Sequence, residues 1–329
     1  MTSVASLLPW LLDADPSLRW QVLGDLSDAS PSEVLAERAR VAREGFGAQL
    51  LARQAPDGTW GGAAWNRGWD STLHVLSLLR ELGLDPASAA AERALGRVRD
   101  QVTWAGCGPR AIWGHGFFAG ETEPCINAQV LAVGAYFGQD VQGLIERLLS
   151  EQLADGGWNC EAPHRSTRAS FNTTIGVLEA LLAYERSTRA TIDVSAARQR
   201  GQEYLLERRL SRRQSTGTLI ARDRKGGASW SEFAMPTWWH YDLLRGLEYF
   251  RQVHTAPDPR VAEAIALVAA KQTQAGWWLM DYRYPGTMPI ELDGAPGEPS
   301  RWLTLRALRV LRWAGVADRN VVSMEPAAS

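Results

Sequence analysis

Five segments of the chain carry apolar residues at the i, i+3, i+4, i+7 spacing of a single helix face. They are Val34–Gln54, Ala89–Val102, Val141–Gln152, Val194–Arg212 and Pro259–Gln272. Their opposite faces are charged, as expected of helices with one side in water. A second set alternates with the first: Ser71–Leu84, Cys125–Phe137, Ser170–Tyr184, Trp239–Phe250 and Arg301–Trp313. These are apolar on nearly every face, so they must be enclosed by other helices. Ser17–Leu26 reads as a sixth member of this inner set, without an outer partner. Two polar stretches interrupt the alternation, Ser211–Ala234 and the Pro- and Gly-rich Tyr282–Ser300. Both are expected as long connections ahead of an inner helix, with a lid or a plain surface loop as the two readings.

The outer segments end alike. Gln54 is followed by Gly58 and Trp60, Gln152 by Gly156, Gly157 and Trp158, and Gln272 by Gly276 and Trp277; a weaker form runs from Val98 to Gly106. A repeat of about 45 to 60 residues belongs to helical pairs, not to propeller blades or leucine-rich units. The spacing alone is compatible with an open solenoid or a closed ring.

Composition narrows the function classes. The chain of 329 residues is 45% apolar and 22% charged with a net charge of −2, which leaves no basic surplus for nucleic acid. No apolar run reaches the roughly 18 residues of a membrane-spanning helix. The N-terminus lacks a basic start and a long apolar core, so no signal peptide is expected. Three cysteines, Cys107, Cys125 and Cys160, form no CxxC pair, and their odd number points to a reducing, cytoplasmic setting. Tryptophan is abundant, with 15 against 7 Phe and 7 Tyr. Packing between repeats and the lining of a cavity are the two uses open to it.

The Gln–Gly–Trp helix ends, and the inner-helix start Gly68–Leu79 with Trp69-Asp70, resemble the squalene cyclase and prenyltransferase superfamily. The segments around Asp15–Leu23 and Pro299–Trp313 resemble short bacterial squalene cyclase-like proteins. The resemblance runs from about Pro16 to Trp313. It implies an all-α fold, a single α/α toroid with about six inner and five to six outer helices. It also implies one domain with a repeat body over 17–315, a tail over 316–329, and a ligand entering at the inner-helix N-terminal end. An isoprenoid or other apolar small molecule is the partner it implies.

The chemistry of that family is not carried over. DxDD and DDxxD are absent, and the place of the prenyltransferase Asp-x-Cys zinc ligands holds Thr167-Arg168-Ala169. Acids that remain as candidate catalysts are Asp70, Glu121 and Glu123, with His74 one turn beyond Asp70. Asp70 reads equally as a helix N-cap, and Glu121 and Glu123 as favourable charges ahead of Pro124. Trp65, Trp69, Trp113, Trp238, Trp239 and Trp278 are expected to line the cavity, with Asn172 as a polar wall group. Cys125, Cys160 and His240 sit at or just before inner-helix starts, so a toroid places them on one rim, where their donors would suit zinc. Buried packing residues are the competing reading. Three functions follow: a noncanonical terpene cyclase, a non-catalytic lipid or peptide carrier, and a zinc-dependent enzyme.

Overall fold

The computed structural model describes residues 4–104, 114–161, 166–187, 190–220 and 228–316. Thirteen α-helices alternate between two concentric layers among these residues. The inner layer is α2 (Pro16–Leu26), α5 (Thr72–Leu82), α7 (Pro124–Tyr136), α9 (Phe171–Glu185), α11 (Leu243–Val253) and α13 (Arg301–Trp313). The outer layer is α1 (Val4–Leu12), α3 with α4 (Pro31–Arg40, Gly45–Ala52), α6 (Ala89–Gln101), α8 (Gln142–Ser150), α10 (Ser195–Glu207) and α12 (Ala262–Ala270). From α5 to α13 each inner helix packs on the next, α13 packs on α2, and hydrogen bonds join α2 to α5, so the ring closes. The α2–α5 seam is tied by Trp20 Nε1 and Gln21 Nε2, which donate to the carbonyls of Leu82 and Glu81 at 2.9 and 3.2 Å. The fold is the all-α toroid expected, with six members in each layer.

Two departures have local causes. The first helix, α1, supplies the outer partner that Ser17–Leu26 lacks in the sequence reading. It packs against α2 and α13, and the Arg301 Nε donates to the Trp10 carbonyl at 3.0 Å. Its apolar residues surround Pro9, which breaks the periodic signal without preventing a short helix. The second departure is the break of Val34–Gln54 into α3 and α4. At Gly45, with φ +61°, a Cβ would lie 1.8 Å from Asp15 Oδ2. Only glycine lets the backbone come this close, so Asp15 can cap both α2, through Ser17 N–H, and α4, through Phe46 N–H.

The helix-end motif is the joint between layers, and it has the same hydrogen bonds three times. The indoles of Trp60, Trp158 and Trp278 donate to the carbonyls of Leu50, Leu148 and Val268 at 2.7, 2.7 and 2.8 Å, in the last turn of α4, α8 and α12. Their backbone N–H groups donate to the hydroxyls of Thr72, Thr174 and Thr304 on the next inner helix. Gln54, Gln152 and Gln272 donate to the turn carbonyls of Gly58, Gly156 and Gly276. Carbonyls orphaned at a helix end are thus satisfied by a buried ring that also fills the space under the neighbouring pair. This corrects two assignments. The third motif tryptophan is Trp278, six residues after its glutamine like the other two, not Trp277. Trp278, 1% exposed, is therefore a packing residue and not a cavity aromatic.

Candidate functional site

Inner helices separated by antiparallel outer ones all run the same way, so their N-termini gather at one end of the ring. An aromatic cluster closes that end. Trp69 stacks on Trp238 at 4.9 Å and 6°, and His74 meets both edge-on at 5.1 and 5.5 Å. The Trp69 indole is fixed by the Pro285 carbonyl at 3.0 Å, within the connection expected over Tyr282–Ser300. The His240 ring is stacked between Trp239 and Tyr284, each centroid 3.7 Å away. Trp65 stands 6.4 Å from His74 at the edge of the cluster. The aromatic residues thus form a plug where an entrance was expected.

His74 is the most enclosed polar group of the plug, 1% exposed. Its Nδ1 pairs with Ser71 Oγ at 2.9 Å and its Nε2 is buried with no hydrogen-bond partner. Burial pulls its pKa down to about 4, against the opposing charge of Asp70, so the ring is neutral at pH 7. Asp70 neither caps α5 nor holds His74. The N-cap is Ser71, and Asp70 Oδ1 accepts from Asn66 Nδ2 at 3.0 Å. His240 is likewise pushed down to about 3, by burial and then by Arg245.

Glu121 and Glu123 do not act as a carboxyl pair. Glu121 accepts from Thr122 Oγ1 and from the Glu123 N–H, at 2.9 and 2.7 Å. Glu123 faces Cys125, whose thiol donates to Glu123 Oε2 at 3.6 Å. The Cys125 N–H donates to Cys160 Sγ at 3.3 Å, and Cys160 Sγ lies 3.5 Å from Thr173 Oγ1. Glu123, Cys125 and Cys160 hold their donor atoms within 4.8 Å of one another. Contact with Cys160 and burial raise the Cys125 thiol pKa. The expected third ligand, His240, is not in this group. The rim is shared, but the segment ahead of α11 holds His240 in the aromatic plug, stacked on Trp239 and Tyr284. The residues at Thr167–Ala169 offer no carboxylate or thiol, so zinc does not fit the site implied by the prenyltransferase resemblance. Asn172 is also taken up structurally, its Oδ1 accepting from the Tyr241 N–H at 2.7 Å. Trp113 and Cys107 lie outside the described residues.

Behind the plug lies the ring's central cavity, about 850 Å³. Of the cavity aromatics expected, Trp238 lines it and forms its closed end; Trp65, Trp69, Trp239 and Asn172 do not line it. The mouth is at the inner-helix C-terminal end, where the exposed residues Ala87, Gly138, Arg186 and Gln252 border it. The expected entrance is therefore reversed.

The wall has two faces. Along α7 and α9 runs a small, apolar strip built by Ala128, Ala132, Ala135, Gly176 and Ala183, with Glu179 of α9 turned to the charged side. On α5, α11 and α13 it is charged, and among the described residues the cavity has six arginines against three glutamates. Arg245 makes a bidentate pair with Glu179, at 2.8 and 2.6 Å, and its other nitrogen holds the Trp238 and His240 carbonyls. Burial opposes ionisation of Glu179, yet the Arg245 guanidinium prevails and keeps its pKa below the usual value. Arg306 pairs with Glu81, and Arg309 with Asp25 and the Gln21 amide oxygen. The Nε groups of Arg80 and Arg309 are buried without a hydrogen-bond partner. Trp302 also lines this wall. The sequence reading missed Trp302 and all of these arginines. Their available signal was the i, i+3 pair Arg306 and Arg309 inside a segment otherwise read as enclosed.

No helix among the described residues is long and apolar enough to cross a membrane. No protein-family model matches the chain, and no curated protein matches it. Among solved structures it is similar to a protein from Actinoplanes, at 16% identity over 95% of this chain and 100% of that one, with a TM-score of 0.45. It is also similar to the type II terpene cyclase MstE from Scytonema, at 17% identity over 92% and 87% of the two chains, with a TM-score of 0.42. A variant of that cyclase in complex with geranylgeranyl dihydroxybenzoate is similar at 19% identity, over the same shares of the two chains and with the same TM-score.

Proposed function

We propose that the central cavity binds an amphipathic organic anion. Its acidic head group, a carboxylate or a phosphate, lies against the arginines of α5 and α13, and its hydrocarbon body against the alanine and glycine wall of α7 and α9. An isoprenoid chain is one body of suitable shape. The observation that carries this reading is the excess of arginine over glutamate on the cavity wall, six against three among the described residues. A surplus of guanidinium charge around a cavity favours a guest whose head group is anionic.

Binding is favoured over terpene cyclisation by the state of the acids. Among the described residues Glu81, Glu179 and Glu248 are the carboxylates on the cavity wall, and each is paired with an arginine. An ion-paired carboxylate is a poor proton donor to an alkene. Asp70, Glu121 and Glu123, the acids expected to do that work, do not line the cavity.

The test is calorimetric titration with geranylgeranyl diphosphate, geranylgeraniol and inorganic diphosphate. The diphosphate ester should bind at least about tenfold tighter than the alcohol, weaken with salt, and lose most of that margin in Arg309→Gln. Equal affinity for ester and alcohol would refute the anionic head group; equal affinity for ester and inorganic diphosphate would refute the hydrocarbon wall.

A further inference from the structure

At the plugged end of the ring, outside the cavity and separate from its ligand, Glu123, Cys125 and Cys160 converge from two segments. Glu123 is the N-cap of α7, and Cys125 lies two residues on, just inside the helix after Pro124. Cys160 lies two residues beyond the motif indole of Trp158, whose bonds to Leu148 and Thr174 fix that turn against α8 and α9. The convergence is therefore set by two rigid supports, not by one mobile loop.

We propose that Glu123, Cys125 and Cys160 form a zinc-class metal site with one coordination position left to solvent. Tetrahedral zinc, with bonds of about 2.3 Å to sulfur and 2.1 Å to oxygen, requires a sulfur–oxygen edge of roughly 3.6 Å and a sulfur–sulfur edge of roughly 3.8 Å. Cys125 Sγ and Glu123 Oε2 are 3.6 Å apart, and all three donor atoms lie within 4.8 Å of each other. The groups around the site also match a bound thiolate. The Cys125 N–H already points at Cys160 Sγ, and Thr173 Oγ1 stands 3.5 Å from the same sulfur. Backbone and hydroxyl donors to ligating atoms fix the orientation of such ligands. Glu123 is exposed and both cysteines are half-buried, so a hydrated cation can reach the site and keep a water. This donor set is distinct from the positions of the prenyltransferase zinc ligands, which lie ahead of α9 and beside the start of α11.

Binding is balanced without any redox change. Two sulfur–metal bonds and one oxygen–metal bond form, two S–H bonds break, and both protons leave to solvent. The chemistry selects a thiophilic divalent ion, because two thiolates and a carboxylate suit zinc, cobalt or cadmium and not magnesium or calcium.

The experiment is a cobalt(II) titration of the full chain, reduced and freed of metal under nitrogen. A thiolate-to-cobalt charge-transfer band should saturate at one equivalent and vanish when zinc is added. Cys125→Ser and Cys160→Ser should each lose most of the band, Cys107→Ser should keep it, and Glu123→Gln should keep it while weakening binding at least about tenfold. Circular dichroism of each variant without metal checks its fold. Independently, zinc should raise the melting temperature of the unmodified protein, and alkylated protein should not respond. Absence of the charge-transfer band in reduced protein would overturn the site, as would its loss in Cys107→Ser. Rapid closure of a Cys125–Cys160 disulfide in protein that takes up no cobalt would also overturn it and reassign the pair to redox chemistry.

Discussion

Replacing each motif tryptophan by phenylalanine tests whether the three joints are equivalent, and with it the reassignment of Trp278. Phenylalanine keeps an aromatic body and removes the indole donor. At Trp158 the Leu148 carbonyl then loses the indole N–H, and it takes no bond from the residues that follow α8. Stranding a buried acceptor costs about 1–3 kcal/mol, and the space left by the smaller ring adds about 1 kcal/mol. At Trp60 and Trp278 the outer carbonyls also accept from the Arg53 and Lys271 N–H groups, so the loss there is partial. Trp158→Phe should therefore cost about 3–4 kcal/mol, and Trp60→Phe and Trp278→Phe about 2–3 kcal/mol each. With unfolding entropy near 2.1 cal/mol/K per residue, 1 kcal/mol is roughly 1.5 °C for this chain. Calorimetric melting should thus fall by about 3–6 °C at all three positions, most at Trp158. Geranylgeranyl diphosphate binding should be retained in Trp278→Phe. A variant at Trp278 that melts like the parent but no longer binds ligand would place that ring in the cavity and refute the equivalence.

Arg245→Met should destabilise by about 3–5 kcal/mol in urea titrations, because it leaves Glu179 ionised and enclosed, and the double Arg245→Met, Glu179→Met variant should recover most of the loss. The pKa of His74 is lower folded than unfolded, so the unfolded chain takes the proton first and stability falls between about pH 6.5 and 4, by about 3 kcal/mol at most. Asp242, raised by burial to about 6, acts in the opposite direction over the lower part of that range. The difference between parent and His74→Gln unfolding curves isolates the histidine, and a pH-independent difference would contradict its burial. Gly201→Ala should cost about 1–3 kcal/mol, since the added Cβ would stand 2.9 Å from both Leu178 Cδ2 and Trp158 Cζ3. Ala132→Leu should shorten the longest prenyl chain that the cavity accepts without changing affinity for a short one; calorimetry with C10 and C20 diphosphates reads this directly.

The alternation of amphipathic and enclosed helices was legible because a two-layer ring writes its burial pattern directly into the 3.6-residue period. Closure was not legible in the same way: it depends on Trp20 and Gln21, which reach α5 across 62 and 60 positions, and on α13, whose contacts with the chain's start span nearly 300. The first helix was obscured by Pro9. Trp278 was misread because two tryptophans follow Gly276, and only the position of its ring distinguishes the packing residue from its neighbour. The cavity was the least legible part. Arg306 and Arg309 sit in a segment whose other residues mark it as enclosed, and only the neighbouring helices decide which of its faces meets the bore. Likewise Cys125 and His240 both precede inner helices in the sequence, but position around a ring has no counterpart in a linear count. Glu123 was singled out as an acid and not as a partner of the thiols, although its place two residues before Cys125 is the local signal for that pairing.

Closure of the ring also limits how this architecture can vary. An open array can gain or lose a unit and merely change length. Here removal of a pair would separate α13 from α2 and leave an enclosed helix facing water. The bore is thus set by the integer six, and changes of capacity must come from single side chains on its inner surface. Gly176, whose added Cβ would meet only the Ala128 methyl at 3.9 Å, is one such adjustable position. Selectivity in this protein is accordingly expected to change by methyl-sized steps, with the circumference held constant.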